Sequence, residues 1–170
     1  MTKQAWLQKW FCYALWLLPV WWLDAFVLSR WPVFGATPAL LPVAVTAVAV
    51  LEGASGGAGF GFATGLLWAT AYPGGHGSRV FLLTLIGLFT GALAQYALSQ
   101  SLFGCLLCSA VALAVVELVH IAEDLFFLRA LPGPALLAAL PQLLWTLCWV
   151  PVVYGIFSRA FDRVGGDRLS

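Results

Sequence analysis

Charge is what this chain has least of. Of its 170 residues only 15 are Asp, Glu, Lys or Arg, while 62% are hydrophobic. A water-soluble domain carries about 25% charged residues, so this chain cannot cover a water-facing surface with polar groups. Its net charge of +1 leaves no basic patch for nucleic acid and no acidic tail. Histidine is equally scarce: there are two, His76 and His120, and no serine or cysteine is tied to either by spacing. No nucleophile–base–orienter set emerges, so no enzymatic activity is expected. The four cysteines, Cys12, Cys105, Cys108 and Cys148, all sit inside apolar runs. Cys105 and Cys108 form a single C-x-x-C, but a zinc site needs further ligands and a redox pair needs a polar, accessible setting. They are read as small packing residues, and neither a metal nor a cofactor is expected.

Long apolar runs are what the chain does have. A bilayer core of about 30 Å takes roughly 20 helical residues. Six spans are expected, at about 10–29, 36–52, 56–72, 79–99, 101–122 and 134–158, which use nearly all of residues 1–170 as a single transmembrane domain. The runs are continuously apolar rather than alternating, which favours helices over a barrel. The fold class is therefore an all-α integral membrane bundle of about six helices. Lys3 and Lys9 followed by apolar Phe11–Leu23 imitate a signal peptide. No small-x-small cleavage pattern follows, so this is read as an uncleaved first span. Trp6, Trp10, Trp21, Trp22 and Trp31 cluster around its ends, as interfacial aromatic belts do. With six spans both termini share a side, which carries Lys3, Lys9, Arg159, Arg163 and Arg168 against Arg30, Arg79 and Arg129 on the other. The excess places both termini in the cytoplasm.

The stretch "LEGASGGAGFGFATGLL", residues 51–67, carries six glycines. It is not a dinucleotide fingerprint, because Thr64 stands where Gly59-x-Gly61 would need a third glycine. No Gly-Lys-Ser/Thr follows either, and a flexible linker would not contain Phe60, Phe62, Leu66, Leu67 and Trp68. What is left is a ladder. Gly53, Gly57, Gly61 and Gly65 are four residues apart, and Gly87-x-x-x-Gly91 repeats the pattern in the next span. Residues four apart stack on a helix with a drift of about 40° per step. In lipid such small-residue stripes let backbones approach closely. The ladder is thus a packing seam, facing either another span or a partner protein. Residues 36–72 hold one charge, Glu52, so the break between spans 2 and 3 is expected at Glu52–Gly56.

The fifth run, "SAVALAVVELVHIAEDLFFLR", places Glu117, His120 and Asp124 at i, i+3 and i+7, within about 60° of one helix face. An acid at the centre of a span costs about 2.5–3.5 kcal/mol, so Glu117 is expected to face the protein interior. The leading reading is a polar face, with Glu52 as a further intramembrane acid, that packs against a neighbouring helix or partner. A proton relay is the second reading. A di-iron site is the third, but it would need a second Glu-x-x-His and two more Glu. Asp24 is a candidate ion-pair partner for Arg79 or Arg129. The last span holds Pro141 and Pro151 with Trp145 and Trp149 between them, and is expected to be irregular.

Across residues 35–98 three features occur in order: "TPALLPVAVTAVAVLEG", then "GGAGFGFATGLL", then "PGGHGSRVFLLTLIGLFTGAL". This stretch, more than a third of the chain, resembles the rod shape-determining protein MreD family. It departs from many members in one place, where Gly65-Leu66-Leu67 is followed by Trp68-Ala69-Thr70 rather than by an Asp. The resemblance implies a non-enzymatic scaffold of the peptidoglycan elongation complex in a bacterial inner membrane. Its implied partners are an MreC-like protein, RodA with its penicillin-binding transpeptidase, the MreB filament and the lipid bilayer. The bundle is also similar to the S components of energy-coupling-factor transporters. That supplies an alternative, a vitamin-binding subunit using Glu117, His120, Gln95 and Gln142. A small proton-coupled carrier built on Glu117 is the remaining one.

Overall fold

The computed structural model describes residues 3–30, 37–71, 77–96, 101–126 and 132–163. Among them every secondary-structure element is helical, with no strand. α1 runs over Lys3–Trp22 and continues through a π-helical turn, Leu23–Val27, and a short 3-10 turn, Leu28–Arg30. α2 covers Leu40–Ala71, α3 Gly77–Tyr96, α4 Leu102–Phe126 and α5 Pro132–Arg163. α5 runs continuously through Pro141 and Pro151.

Five of these helices are long and apolar enough to cross a membrane, which corrects the expectation of six spans. The expected spans 2 and 3 form one element, α2, with a break inside it. Gly53 has φ 81° and ψ −170°, outside the helical region. This left-handed φ is open to glycine and strained for other residues. The arm before it, residues 40–52, reaches only about 20 Å at 1.5 Å per residue, well short of the roughly 30 Å bilayer core. It is not an independent span.

The arm folds back on its own continuation. A straight helix would hold Ala49 and Gly57 about 12 Å apart along the axis. Here a Cβ placed on Gly57 would lie 2.9 Å from the Ala49 Cα. At the other end of the two arms, Ala39 and Trp68 line the same cavity. The break falls where the single charge and the run of small residues place it, at the start of Glu52–Gly56.

The short arm is the core of the molecule. Leu40 to Leu51 are buried without exception. α1, α4, α5 and the second arm of α2 surround it, and Tyr13, Leu17, Phe60, Val150, Val153 and Phe157 join it in one cluster. Within that apolar core Thr46 and Ser109 share a hydrogen bond of 2.8 Å, so neither hydroxyl is stranded. Cys105 and Cys108 are buried and free, in keeping with a packing role.

Candidate functional site

The glycine seam lies within the chain. The second arm of α2 and α3 run antiparallel with their backbones in contact. A Cβ on Gly65 would sit 2.6 Å from the Val80 Cα, and one on Gly61 2.9 Å from the Leu83 carbonyl carbon. A Cβ on Gly87 would sit 2.6 Å from the Gly57 carbonyl carbon, and one on Gly91 2.5 Å from the Ala54 nitrogen. Real Cβ atoms do not approach this closely, so each position requires glycine. At Gly53 the Gln95 side chain occupies the space a Cβ would need. The sequence left open whether the seam meets another span or a partner. All six glycines, Gly53, Gly57, Gly61, Gly65, Gly87 and Gly91, are buried against their own chain, which removes them as a partner-binding surface.

The polar residues fall into two clusters at opposite ends of the short arm. The first surrounds a cavity of about 180 Å³ lined by Asp24, Trp68, Arg79, Glu117, His120 and Gln142, with Thr37, Pro38, Ala39 and Val116. Every helix contributes to this group or to its rim. Gln142 Nε2 donates to Glu117 Oε1 at 2.6 Å. Arg79 Nη2 bonds to His120 Nε2. Arginine has no acceptor, so Nε2 must accept, and the proton of the neutral ring sits on Nδ1. The Arg79 guanidinium also stacks over Trp68, 5.3 Å from the ring centroid. Ser78 donates to Glu123 at 2.9 Å.

Asp24 lines the same cavity as Arg79. Its Oδ1 accepts from the Leu40 backbone N–H at 2.9 Å, and Thr146 Oγ1 accepts from Ala39 N–H at 3.2 Å. Together they satisfy donors at the start of α2 that have no intrahelical acceptor. Glu117 and His120 come together as expected. Asp124 belongs to α4, but its side chain lies outside the described residues, as does Arg129.

Glu52 is not part of that face. It sits at the α2 break, and its two oxygens bind α1: Tyr13 Oη donates to Oε1 at 2.5 Å, and Lys9 Nζ lies 2.5 Å from Oε2. Lys9 is also 5.7 Å from the Phe161 ring centroid. Tyr13 is 1% exposed and packs against Phe60 and Phe157, each 6.2 Å away between ring centroids. This second cluster ties α1, the turn of α2 and α5 together. Sequence reasoning missed Lys9 and Tyr13 as partners of Glu52. Their i, i+4 spacing puts both on one face of an apolar helix, and that was the available signal.

Among the described residues the arrangement offers a polar-lined cavity, a largely shielded ion pair and a close-packed backbone seam. In comparisons with known proteins, no family model, no curated protein and no solved structure matches this chain.

Proposed function

We propose that this protein is a non-enzymatic membrane scaffold of the cell-wall elongation machinery, of the kind its MreD resemblance implies. One observation carries the reading. The segment that resembles MreD, residues 35–98, is the segment that builds the centre of the molecule: the buried arm, the Gly53 break, the second arm and α3. Six of its glycines, Gly53, Gly57, Gly61, Gly65, Gly87 and Gly91, stand where a side chain cannot, so their spacing is architectural rather than a by-product of composition. The partner contacts this reading needs fall on the lipid-facing surfaces, because the seam is used internally.

A solute-binding role is the second reading. The convergence of Asp24, Arg79, Glu117, His120 and Gln142 on one cavity favours it. The cavity, about 180 Å³, is smaller than the roughly 300–1,000 Å³ of typical small-molecule sites, and Glu117 and His120 are already hydrogen-bonded within it. These features suit a few ordered waters better than a vitamin.

Depletion in the native host tests the proposal. Loss of rod shape and of lateral wall synthesis, restored by the wild-type chain and not by Gly61→Leu, is the expected result. Unchanged shape and wall synthesis on depletion would overturn it.

A further inference from the structure

Two cavities meet on one flank of the bundle. α3 and α4 splay apart, leaving a groove of about 600 Å³ whose walls include Ile86, Phe89 and Leu93 on α3 and Leu107 and Val111 on α4. The groove is apolar and opens outward, with Phe89 60% and Val111 58% exposed. At one end it reaches Leu82, which also lines a small pocket holding Trp68, Arg79, His120 and Glu123. An apolar groove facing lipid thus ends in a polar pocket at the first turn of α3 and near the last turn of α4, the level at which headgroups lie.

The charges of that pocket select among headgroups. Arg79 bonds to His120 and stacks on Trp68, and among the described residues it forms no ion pair. Glu123 holds only a hydroxyl, that of Ser78, among its hydrogen bonds here. The nearby acids Asp24 and Glu117 are engaged by the Leu40 N–H and by Gln142. One cation and one anion therefore line the same small pocket.

We propose that this flank is a binding site for a phospholipid with a zwitterionic headgroup bearing a primary ammonium. The phosphate bonds to Arg79, whose forked donors match phosphate oxygens. The ammonium donates to Glu123, which as a carboxylate has acceptor positions left beside the Ser78 hydroxyl. One acyl chain lies along the α3–α4 groove. A purely anionic headgroup would satisfy Arg79 but meet repulsion from Glu123. A quaternary ammonium would have no N–H to give Glu123. The site goes beyond the scaffold proposal and stands whether or not that proposal holds.

The test uses the full chain, purified in mild detergent and placed in nanodiscs of equal phosphatidylethanolamine, phosphatidylcholine and phosphatidylglycerol. Native mass spectrometry then reads the retained lipid. The expected result is one retained phosphatidylethanolamine, preferred about fivefold over either competitor, the scale of one exposed charge pair. Arg79→Gln should lose the retained lipid, and Glu123→Gln should shift the preference to phosphatidylglycerol. Val111→Trp, on an exposed groove wall and so tolerated by the fold, should lose retention with both charges intact. Soluble glycerophosphoethanolamine should not compete. Equal retention of all three lipids, a preference unchanged in Arg79→Gln and Glu123→Gln, or competition by the chain-free headgroup would overturn the proposal. So would a photocrosslinker at Val111 that captures a polypeptide in native membranes instead of lipid.

Discussion

Gly57 and Gly87 meet backbone to backbone across the α2–α3 seam: a Cβ on Gly87 would lie 2.6 Å from the Gly57 carbonyl carbon. Neither helix can carry a side chain there without moving away from the other. In lipid, where apolar burial contributes little to helix association, this close approach is what holds the pair together.

Alanine substitutions should therefore have opposite signs in two places. Gly57→Ala, Gly61→Ala or Gly87→Ala forces the helices apart and should destabilise by about 1–3 kcal/mol, the usual cost of overpacking. A Cβ at Gly155 meets nothing within 4 Å, and there the helix gains from losing a flexible residue, so Gly155→Ala should stabilise by about 0.5–1 kcal/mol. Thermal unfolding in one detergent measures all four variants. A seam variant as stable as wild type would remove the packing argument.

At Gly53 two costs are superimposed. The φ of 81° with ψ −170° strains any residue with a Cβ by about 1–3 kcal/mol, and the Gln95 side chain fills the space. Gly53→Ala should be clearly destabilising, and Gln95→Ala in the same chain should recover only the steric share. A double-mutant cycle separates the two. Full recovery would mean that backbone strain plays no part.

The Lys9–Glu52–Tyr13 cluster is largely shielded from water, with side-chain exposures of 14% for Lys9 and 9% for Glu52. Glu52→Ala leaves the Lys9 charge without its partner and should cost about 3–5 kcal/mol. Tyr13→Phe removes one hydrogen bond to a charged group, worth about 1.5–3 kcal/mol. Lys9→Met combined with Glu52→Leu should lie much closer to wild type than Glu52→Ala does. Unfolding midpoints that rank otherwise would show that the pair is not the tie between α1 and the α2 turn.

Glu117→Gln separates the scaffold from the carrier. The amide keeps the size of the side chain next to Gln142 and removes the charge. Under the scaffold proposal, cell shape and partner recovery stay at wild-type levels. Loss of proton-driven solute uptake by this variant, with folding intact, would instead favour a carrier.

Much of this architecture can be read from one sequence. The four-residue repeat from Gly53 to Gly65 and its echo at Gly87 and Gly91 identify the seam, because only glycine spacing makes such a surface. The break at the single charge, Glu52, was legible for the same reason: a charge and small residues interrupt an otherwise unbroken apolar run. The span count was not. Residues 36–52 are apolar enough to cross a membrane, and composition does not reveal that the helix begins only at Leu40 and is folded against its own second arm. Nor did the sequence show that Glu52 and Glu117 belong to different ends of the core. Which acid meets which base, here Lys9 and Glu52 across 43 positions (52 minus 9), depends on the order in which helices pack.

The most direct test of the central claim is affinity recovery of the tagged chain from native membranes in mild detergent, with mass spectrometry of the proteins that accompany it. The scaffold account predicts an MreC-like protein and the elongation synthase with its transpeptidase, retained by Glu117→Gln and reduced by Gly61→Leu. Recovery of a transporter coupling subunit with its ATPases, and none of the elongation proteins, would contradict it.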